Sequence, residues 1–513
     1  MSVWRTKSIE QSIADTDEPE YQLRKRLSWL DLTVFGVGVV IGAGIFTLTG
    51  RAAQAYAGPG IVLSFVIAGV CCALAALCYA EFASAVPVSG SAYTFSYASL
   101  GEMIAWIIGW DLLLELMLGA AVVAQGWSAY AQDLLSKLGI EWPASIGYDE
   151  TAGFGHPNLL ALLLVVVLGV LVTVGIKESM RVNLVLVALK VFIVLFVIVA
   201  GLFYVDGANY DPFIPPAEGG VAAESTLLTP LVQLVFGIEP QVYGVLGVVT
   251  AASIVFFAYI GFDVVATTAE EAKNPKRDLP IGILGSLAIC TVLYMAVCLV
   301  VTGMVKYTDL EAGAPLASAF ESVGRPGFAT LISAGAVAGL TTVVMTLMIG
   351  AARVLFAMSR DNLVPHGAGK VHPRFGTPSR ITIGIAVVVG LVAAFTPIGK
   401  LEEMVNIGTL AAFTLVSVAV IVLRRTRPDL PRPFRVPFVP VLPAVSALIC
   451  VYLMLNLSLE TWLRFSVWML LGFVVYFAYG YRRSRLATGD ALSVGVAHRD
   501  RAADDGGVPP KVL

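Results

Sequence analysis

The sequence predicts an all-α polytopic membrane protein with twelve spans, and three observations carry that prediction. First, the 513-residue chain is 58% hydrophobic and only 13% charged, about half the charge of an ordinary soluble domain, with a mean hydropathy of +0.84. Second, unbroken apolar runs recur from end to end. Roughly 20 such residues cross a bilayer as a helix, whereas a β-barrel shows short alternating segments. Third, the basic residues segregate. With the N-terminus cytoplasmic, only Arg51, Lys137, Lys306, Arg325, Lys400 and Arg464 fall outside, Lys190 falls within a span, and the other 26 of the 33 Lys and Arg fall inside. This asymmetry satisfies the positive-inside rule, and an odd number of spans would destroy it.

The spans are expected at about 31–56, 60–85, 102–131, 159–176, 183–204, 247–269, 280–304, 327–357, 381–397, 404–423, 438–458 and 465–481. Residues 1–30 form a cytoplasmic segment, and no cleavable leader is expected because the first apolar run far exceeds a signal h-region. Spans one to five occupy 31–204 and spans six to ten 247–423, joined by an outside loop, 205–246, that is acidic and free of Lys and Arg. A basic cytoplasmic loop, 424–437, leads to spans eleven and twelve at 438–481, and 482–513 reads as a disordered tail.

Span one contains "FGVGVVIGAGIFTLTG" at 35–50, with glycine at 36, 38, 42, 44 and 50. Each glycine costs about 1 kcal/mol against alanine in a helix. Span six contains "FFAYIGFDVVATTAEEAKNPKRDLP" from Phe256, with Gly261 and Asp263 deep in an apolar run. If spans one to five and six to ten are repeats, the two interruptions correspond, and such a pair points to a transporter's binding site. Close helix packing through small residues, such as the Gly38–Gly42 pair, is the competing reading. A broken helix exposes N–H groups at the start of its second half and C=O groups at the end of its first. Here the N–H groups near Ala43, Gly44 and Ile45 suit a carboxylate, and the C=O groups of Phe257, Ala258 and Ile260 suit an ammonium. An α-amino acid carries both charges close together. A nucleotide site is excluded, because Ile41 stands where the third glycine of GxGxxG belongs and no strand precedes it. No nucleic-acid partner is expected.

No metal or cofactor is expected either. The four histidines fall in loops or the tail without ligand spacing, and the six cysteines sit in apolar runs as small hydrophobes. An enzyme would need a nucleophile–base set within the spans, and neither GxSxG nor HExxH occurs. A channel would show pore loops or rings of acids.

The stretches "GVGVVIGAGIF" (36–46), "PVSGSAYTF" (87–95), "GWDLLLE" (109–115), the span-six segment through Ile283, "RVLFAMSRDNLVP" (353–365) and "LRRTRPDLPRPFRVP" (423–437) together resemble the amino acid–polyamine–organocation permeases. The likeness is to the cationic amino acid transporter branch and its bacterial relatives. It implies a LeuT-like fold of two inverted five-helix repeats plus two helices, located in the cell membrane. It also implies amino acid uptake by alternating access. Carried over, it assigns the substrate carboxylate to Ala43 and Gly44, the amino group to carbonyls of Ile41, Phe257, Ala258 and Ile260, and an outer gate to Phe262. A stretch near 219–245 is extra relative to many members.

Three intramembrane charges call for explanation. Lys190 lies about 12 Å into span five, where a central Lys costs roughly 2.5–3.5 kcal/mol. Either it snorkels or, as the resemblance implies for sodium-independent members, it occupies the position of a coupling cation and bridges to span one with the proton as coupling ion. Glu115 in span three is a pocket wall, a second proton site, or a charge satisfied between helices. Asp263 follows the span-six break, where it satisfies freed amides or binds substrate. Glu270 and Glu271, near the inner end of span six beside Lys273, are expected to form cytoplasmic ion pairs. In span eight the resemblance places Leu347 in the lining of the side-chain pocket, with Met345 and Met348 nearby; that surface is apolar, which favours neutral over cationic substrates, while Glu115 keeps the cationic alternative open. An exchanger for cationic substrates and a non-transporting sensor of the same fold are the remaining alternatives.

Overall fold

The computed structural model describes residue 5 and residues 27–85, 91–149, 153, 155–175, 180–219, 226–237, 241–365, 367–373 and 375–488. The expected N-terminal segment, apart from Arg5 and the last residues before span one, and the tail beyond Thr488 lie outside the described residues.

Among the described residues eight helices are long and apolar enough to cross a membrane, one of them, Gly44–Ala85, running from the second half of span one through span two, and four shorter apolar helices, the first half of span one among them, accompany them. Span one begins at Trp29. Ser28 caps it and Asp31 returns the hydrogen bond to the Ser28 N–H, a reciprocal capping box that satisfies two helix-end donors. Its first half, Trp29–Val40, stops at Ile41, whose ψ of 83° leaves the helical region. The chain resumes helix from Gly44, in wide π-turns with one α-turn, as far as Ala57. Span two is Ile61–Ala85 and span three Glu102–Lys137. Spans four and five are Leu159–Val174 and Met180–Gly201.

Span six runs as Gly244–Val255, tightens to a 3₁₀ turn at Phe256–Tyr259, and breaks. Ile260 is extended and Gly261 has φ +121°, a conformation that L side chains rarely adopt. The second half, Asp263–Glu271, is entirely 3₁₀. Spans seven to ten are Pro275–Met304, Pro326–Arg360, Ser379–Phe395 and Ile398–Thr426. Spans eleven and twelve are Val441–Leu455 and Leu459–Val475, the latter extended by a π-turn to Gly480. The only two spans interrupted by non-helical backbone among the described residues are thus one and six, five places apart. This is the all-α polytopic, LeuT-like plan of two five-span halves plus two helices.

Span three packs along span eight, and span seven lies along span two and the first half of span one. At the basic end of the bundle, Glu81 of span two receives two nitrogens of Arg424 (3.0 and 2.6 Å), the Val436 N–H (2.7 Å) and, at 3.4 Å, Arg432. The basic loop is therefore folded onto one carboxylate. The chain beyond span twelve stays docked as far as residue 488: the Ser484 hydroxyl donates to Glu102, and the Arg485 N–H to the Asp361 carbonyl. At the opposite, acidic end, the loop after span five straps over the bundle. Tyr243 donates its N–H to the Tyr56 carbonyl (2.9 Å) and its hydroxyl to the Gln54 carbonyl (2.7 Å). Glu218–Gly219 pairs antiparallel with Gln241–Val242.

Candidate functional site

The two breaks meet. A Cβ on Gly44 would lie 2.3 Å from Ala258 Cα and 2.4 Å from its Cβ, far inside contact distance. Only glycine lets the start of the second half of span one sit against the end of the first half of span six. The other glycines divide as helix packing expects: Gly36 abuts Ser286 and Val265, and Gly38 abuts Val187 of span five. Packing and interruption thus occupy different glycines of one stretch.

The first N–H groups of a helix have no intrahelical acceptor. Among the described residues, no backbone acceptor outside the helix takes the N–H of Ala43, Gly44 or Ile45. Facing them, the Phe257 carbonyl accepts the Ile260 N–H (3.1 Å). The Ala258 carbonyl accepts the hydroxyl of Tyr294 in span seven (2.8 Å), and the same hydroxyl lies 2.6 Å from the Val40 carbonyl. Tyr294 therefore joins both breaks through one proton. Asn406 of span ten donates to the carbonyls of Ser253 and Ile254 just upstream (2.9 and 3.2 Å). The Asp263 carboxylate lies against the N–H groups of Gly261, Asp263 and Val264, so it satisfies amides that the break frees.

Lys190 is buried, and its Nζ donates to the Gly38 carbonyl in the first half of span one (2.7 Å). Its stem crosses Gly339 of span eight, where a Cβ would come within 2.9 Å of Cγ. The ammonium thus reaches across to span one and does not snorkel to an interface. Val343 of span eight faces the first break: a Cβ on Gly42 would lie 3.4 Å from its Cγ1. Leu347, one turn further, is buried near Gly119 of span three, so span eight presents an apolar face to this region.

Phe262 is buried against Phe413 and Tyr79, with ring centroids 5.2 and 6.1 Å apart. It opens the half of span six that runs to the basic end, where Lys273 donates its N–H to the Leu27 carbonyl (2.8 Å). Nearby Glu271 forms the expected ion pair at this end, with Arg353 of span eight at 3.7 Å. On the acidic side the second half of span one is tied to span ten by Arg51 and Glu402 (2.9 Å).

Below the break lies a group of buried acids. Glu115 is within electrostatic range of Asp111, one turn earlier, and of Asp263. The Asp111 oxygens have no hydrogen-bond partner among the described residues. Those of Glu115 have only the Thr409 hydroxyl beside them, which itself donates to the Val405 carbonyl. Sequence reasoning missed Tyr294, Val343 and Asp111. Asp111 lies inside the quoted "GWDLLLE" and its i, i+4 spacing from Glu115 was available; the other two carry no sequence signal.

Two interrupted spans that abut at their interruptions, the only such spans among the described residues, with N–H groups on one side and carbonyls on the other, are the arrangement that points to a transporter's binding site. Comparison with known proteins agrees. The family model described as amino acid permease matches residues 27–476. The chain is 46% identical over 490 residues to the branched-chain amino acid permease BcaP of Bacillus subtilis, covering 94% of this chain and 99% of that protein. It is 44% identical over 486 residues to the methylthioribose transporter of the same organism, with the same coverage. It is 36% identical over 429 residues to the vacuolar cationic amino acid transporter 4 of Arabidopsis thaliana, covering 83% and 68%. The chain belongs to the amino acid permease family of the amino acid–polyamine–organocation superfamily: it is a permease and not an enzyme.

Proposed function

We propose that this permease takes up neutral, aliphatic α-amino acids by proton-coupled, sodium-independent symport, working by alternating access in the cell membrane with its basic end and both termini cytoplasmic. The single observation that carries the reading is the abutment of the two breaks at Gly44 and Ala258. The N–H groups of Ala43, Gly44 and Ile45 take the carboxylate. The carbonyls of Ile41, Phe257, Ala258 and Ile260 take the ammonium, which displaces Tyr294 from Ala258. The side chain points to Val343 and Leu347, an apolar surface that suits leucine or valine better than arginine; the name of the BcaP relative points the same way.

Phe262 closes the site. The resemblance makes it an outer gate, but it lies on the half of span six that runs to the basic end, so the gate we propose for it faces that side. Lys190 is the coupling group: bound to Gly38, it holds the first half of span one, and its proton state biases that half. Glu115, with Asp111 and Asp263, is a second place that holds a proton.

Uptake into proteoliposomes tests this, using labelled leucine, alanine, arginine and methylthioribose with and without an imposed proton gradient. Accumulation of leucine driven by the gradient, without sodium, is expected. Complete block of leucine uptake by arginine, or gradient-independent exchange, would replace the reading with a cationic exchanger. Binding without accumulation would mean a sensor. A second reading, methylthioribose uptake, rests on the similarity to that transporter. Methylthioribose carries no ammonium or carboxylate, so uptake of it without uptake of leucine would favour that reading.

A further inference from the structure

We propose that residues 226–237 of the loop at the acidic end are embedded in the adjacent lipid leaflet and anchor that loop to the bilayer. The segment reads "TLLTPLVQLVFG" and holds no ionisable residue, within a loop otherwise rich in acids. Leu227, Leu228, Leu234, Val235 and Phe236 are all exposed, Phe236 by 63%, while Val232 alone turns inward. Five large apolar side chains in twelve residues would make an unfavourable surface in water.

The backbone fits a lipid setting as well. A segment in an apolar environment must satisfy its own polar groups. Here Leu231 donates to the Leu457 carbonyl (3.1 Å), Leu459 donates to the Thr229 carbonyl (3.0 Å), and Gln233 and Gly237 close turns onto Pro230 and Gln233. Those contacts also set the depth. Residues 457–459 form the turn between spans eleven and twelve, whose outward faces (Leu448 and Val451; Leu463 and Val467) are exposed and apolar. The segment therefore continues the lipid-facing belt of two peripheral spans. Trp462, in the first turn of span twelve, donates its indole N–H to the Met454 carbonyl, and such aromatic residues are enriched at membrane interfaces. Such segments lie in the interface with their apolar side chains among the acyl chains. The same loop grips span one at Gln54 and Tyr56 through Tyr243, so an anchor on this loop also bears on the second half of span one.

The experiment places an environment-sensitive maleimide dye on Val235→Cys, on Phe236→Cys and, as the water-exposed control, on Ala208→Cys. The full-length protein is labelled in detergent and reconstituted. All six native cysteines are buried, so labelled wild type sets the background. At 235 and 236 the dye should emit to the blue of the Ala208 control, be quenched by lipids carrying a nitroxide near the headgroup, and be protected from iodide present on both sides of the vesicle. Emission and iodide quenching equal to the control would overturn the proposal. So would energy transfer between differently labelled copies that persists on lipid dilution, since that would make the occupant a second copy. Replacing Leu234, Val235 and Phe236 by serine should abolish lipid quenching of a dye at Leu228→Cys; quenching retained there would equally overturn it.

Discussion

Replacing Gly44 by alanine sets two effects against each other. Within a helix the change is favourable by about 1 kcal/mol. Against it, the new methyl would lie 2.3 Å from Ala258 Cα, where carbon–carbon contacts settle near 3.5 Å. The second half of span one must therefore retreat by about 1.2 Å from span six. Overpacking of this kind costs about 1–3 kcal/mol, so the net loss of stability is at most about 2 kcal/mol and the protein still folds. The larger consequence falls on the ligand. A hydrogen bond to a charged group contributes about 1.5–3 kcal/mol, and a retreat of about 1 Å removes one from the carboxylate, which weakens binding by roughly 10- to 100-fold. The control is Gly384→Ala in span nine, where a Cβ would meet nothing within 4 Å. Leucine uptake and binding in proteoliposomes, with thermal melting in detergent, should show Gly44→Ala folded but crippled and Gly384→Ala as wild type or slightly more stable. Wild-type affinity and rate in Gly44→Ala would refute the idea that ligand sits where the breaks meet.

Other substitutions probe the neighbours. Lys190→Ala should abolish stimulation of uptake by an inwardly directed proton gradient while leucine counterflow persists; uptake still driven by the gradient would remove Lys190 from coupling. Tyr294→Phe removes the hydroxyl donor from the Ala258 carbonyl and one of two donors from the Val40 carbonyl, which keeps the Gly42 N–H, and an unsatisfied buried group costs about 1–3 kcal/mol; a lower melting temperature that leucine restores more strongly than in wild type is expected, and an unchanged melting curve would contradict the bridge. Glu81→Ala strands Arg424 and Arg432 and frees the Val436 N–H; breaking a largely buried ion pair costs up to about 3–5 kcal/mol, so protease should cut 424–437 in the variant well before wild type, and equal cleavage would count against the latch. Val343→Asp should suppress leucine uptake more than arginine uptake, whereas equal loss of both would place the side chain elsewhere.

Much of this was legible in the sequence because hydropathy and glycine spacing are local properties. The runs of 35–50 and 256–283 announce where a helix is interrupted, and the breaks fall at Ile41–Gly42 and Ile260–Gly261. Lys190 stood out because a buried ammonium needs a partner, although which carbonyl it meets depends on the approach of spans one and five. Tyr294 was invisible for a different reason. A tyrosine in an apolar span is unremarkable until two distant carbonyls converge on its hydroxyl, and that convergence belongs to tertiary packing. Val343 and Leu347 lie on one face four residues apart, so the helical period located the face but not which residue meets Gly42. The pairing of Glu271 with Arg353 likewise joins segments 82 positions apart, a distance over which charge pattern alone specifies no partner.

A phenol has a single hydrogen to give, and Tyr294 shares it between the Ala258 carbonyl and the Val40 carbonyl, which also accepts the Gly42 N–H (2.8 Å). The carbonyl side of the meeting breaks is thus served by a shared proton, and the donors in excess lie on the opposite side. An incoming primary ammonium brings three, so a substrate would complete an unfinished tally, and quaternary amines of similar size, which bring none, should be poor cargo.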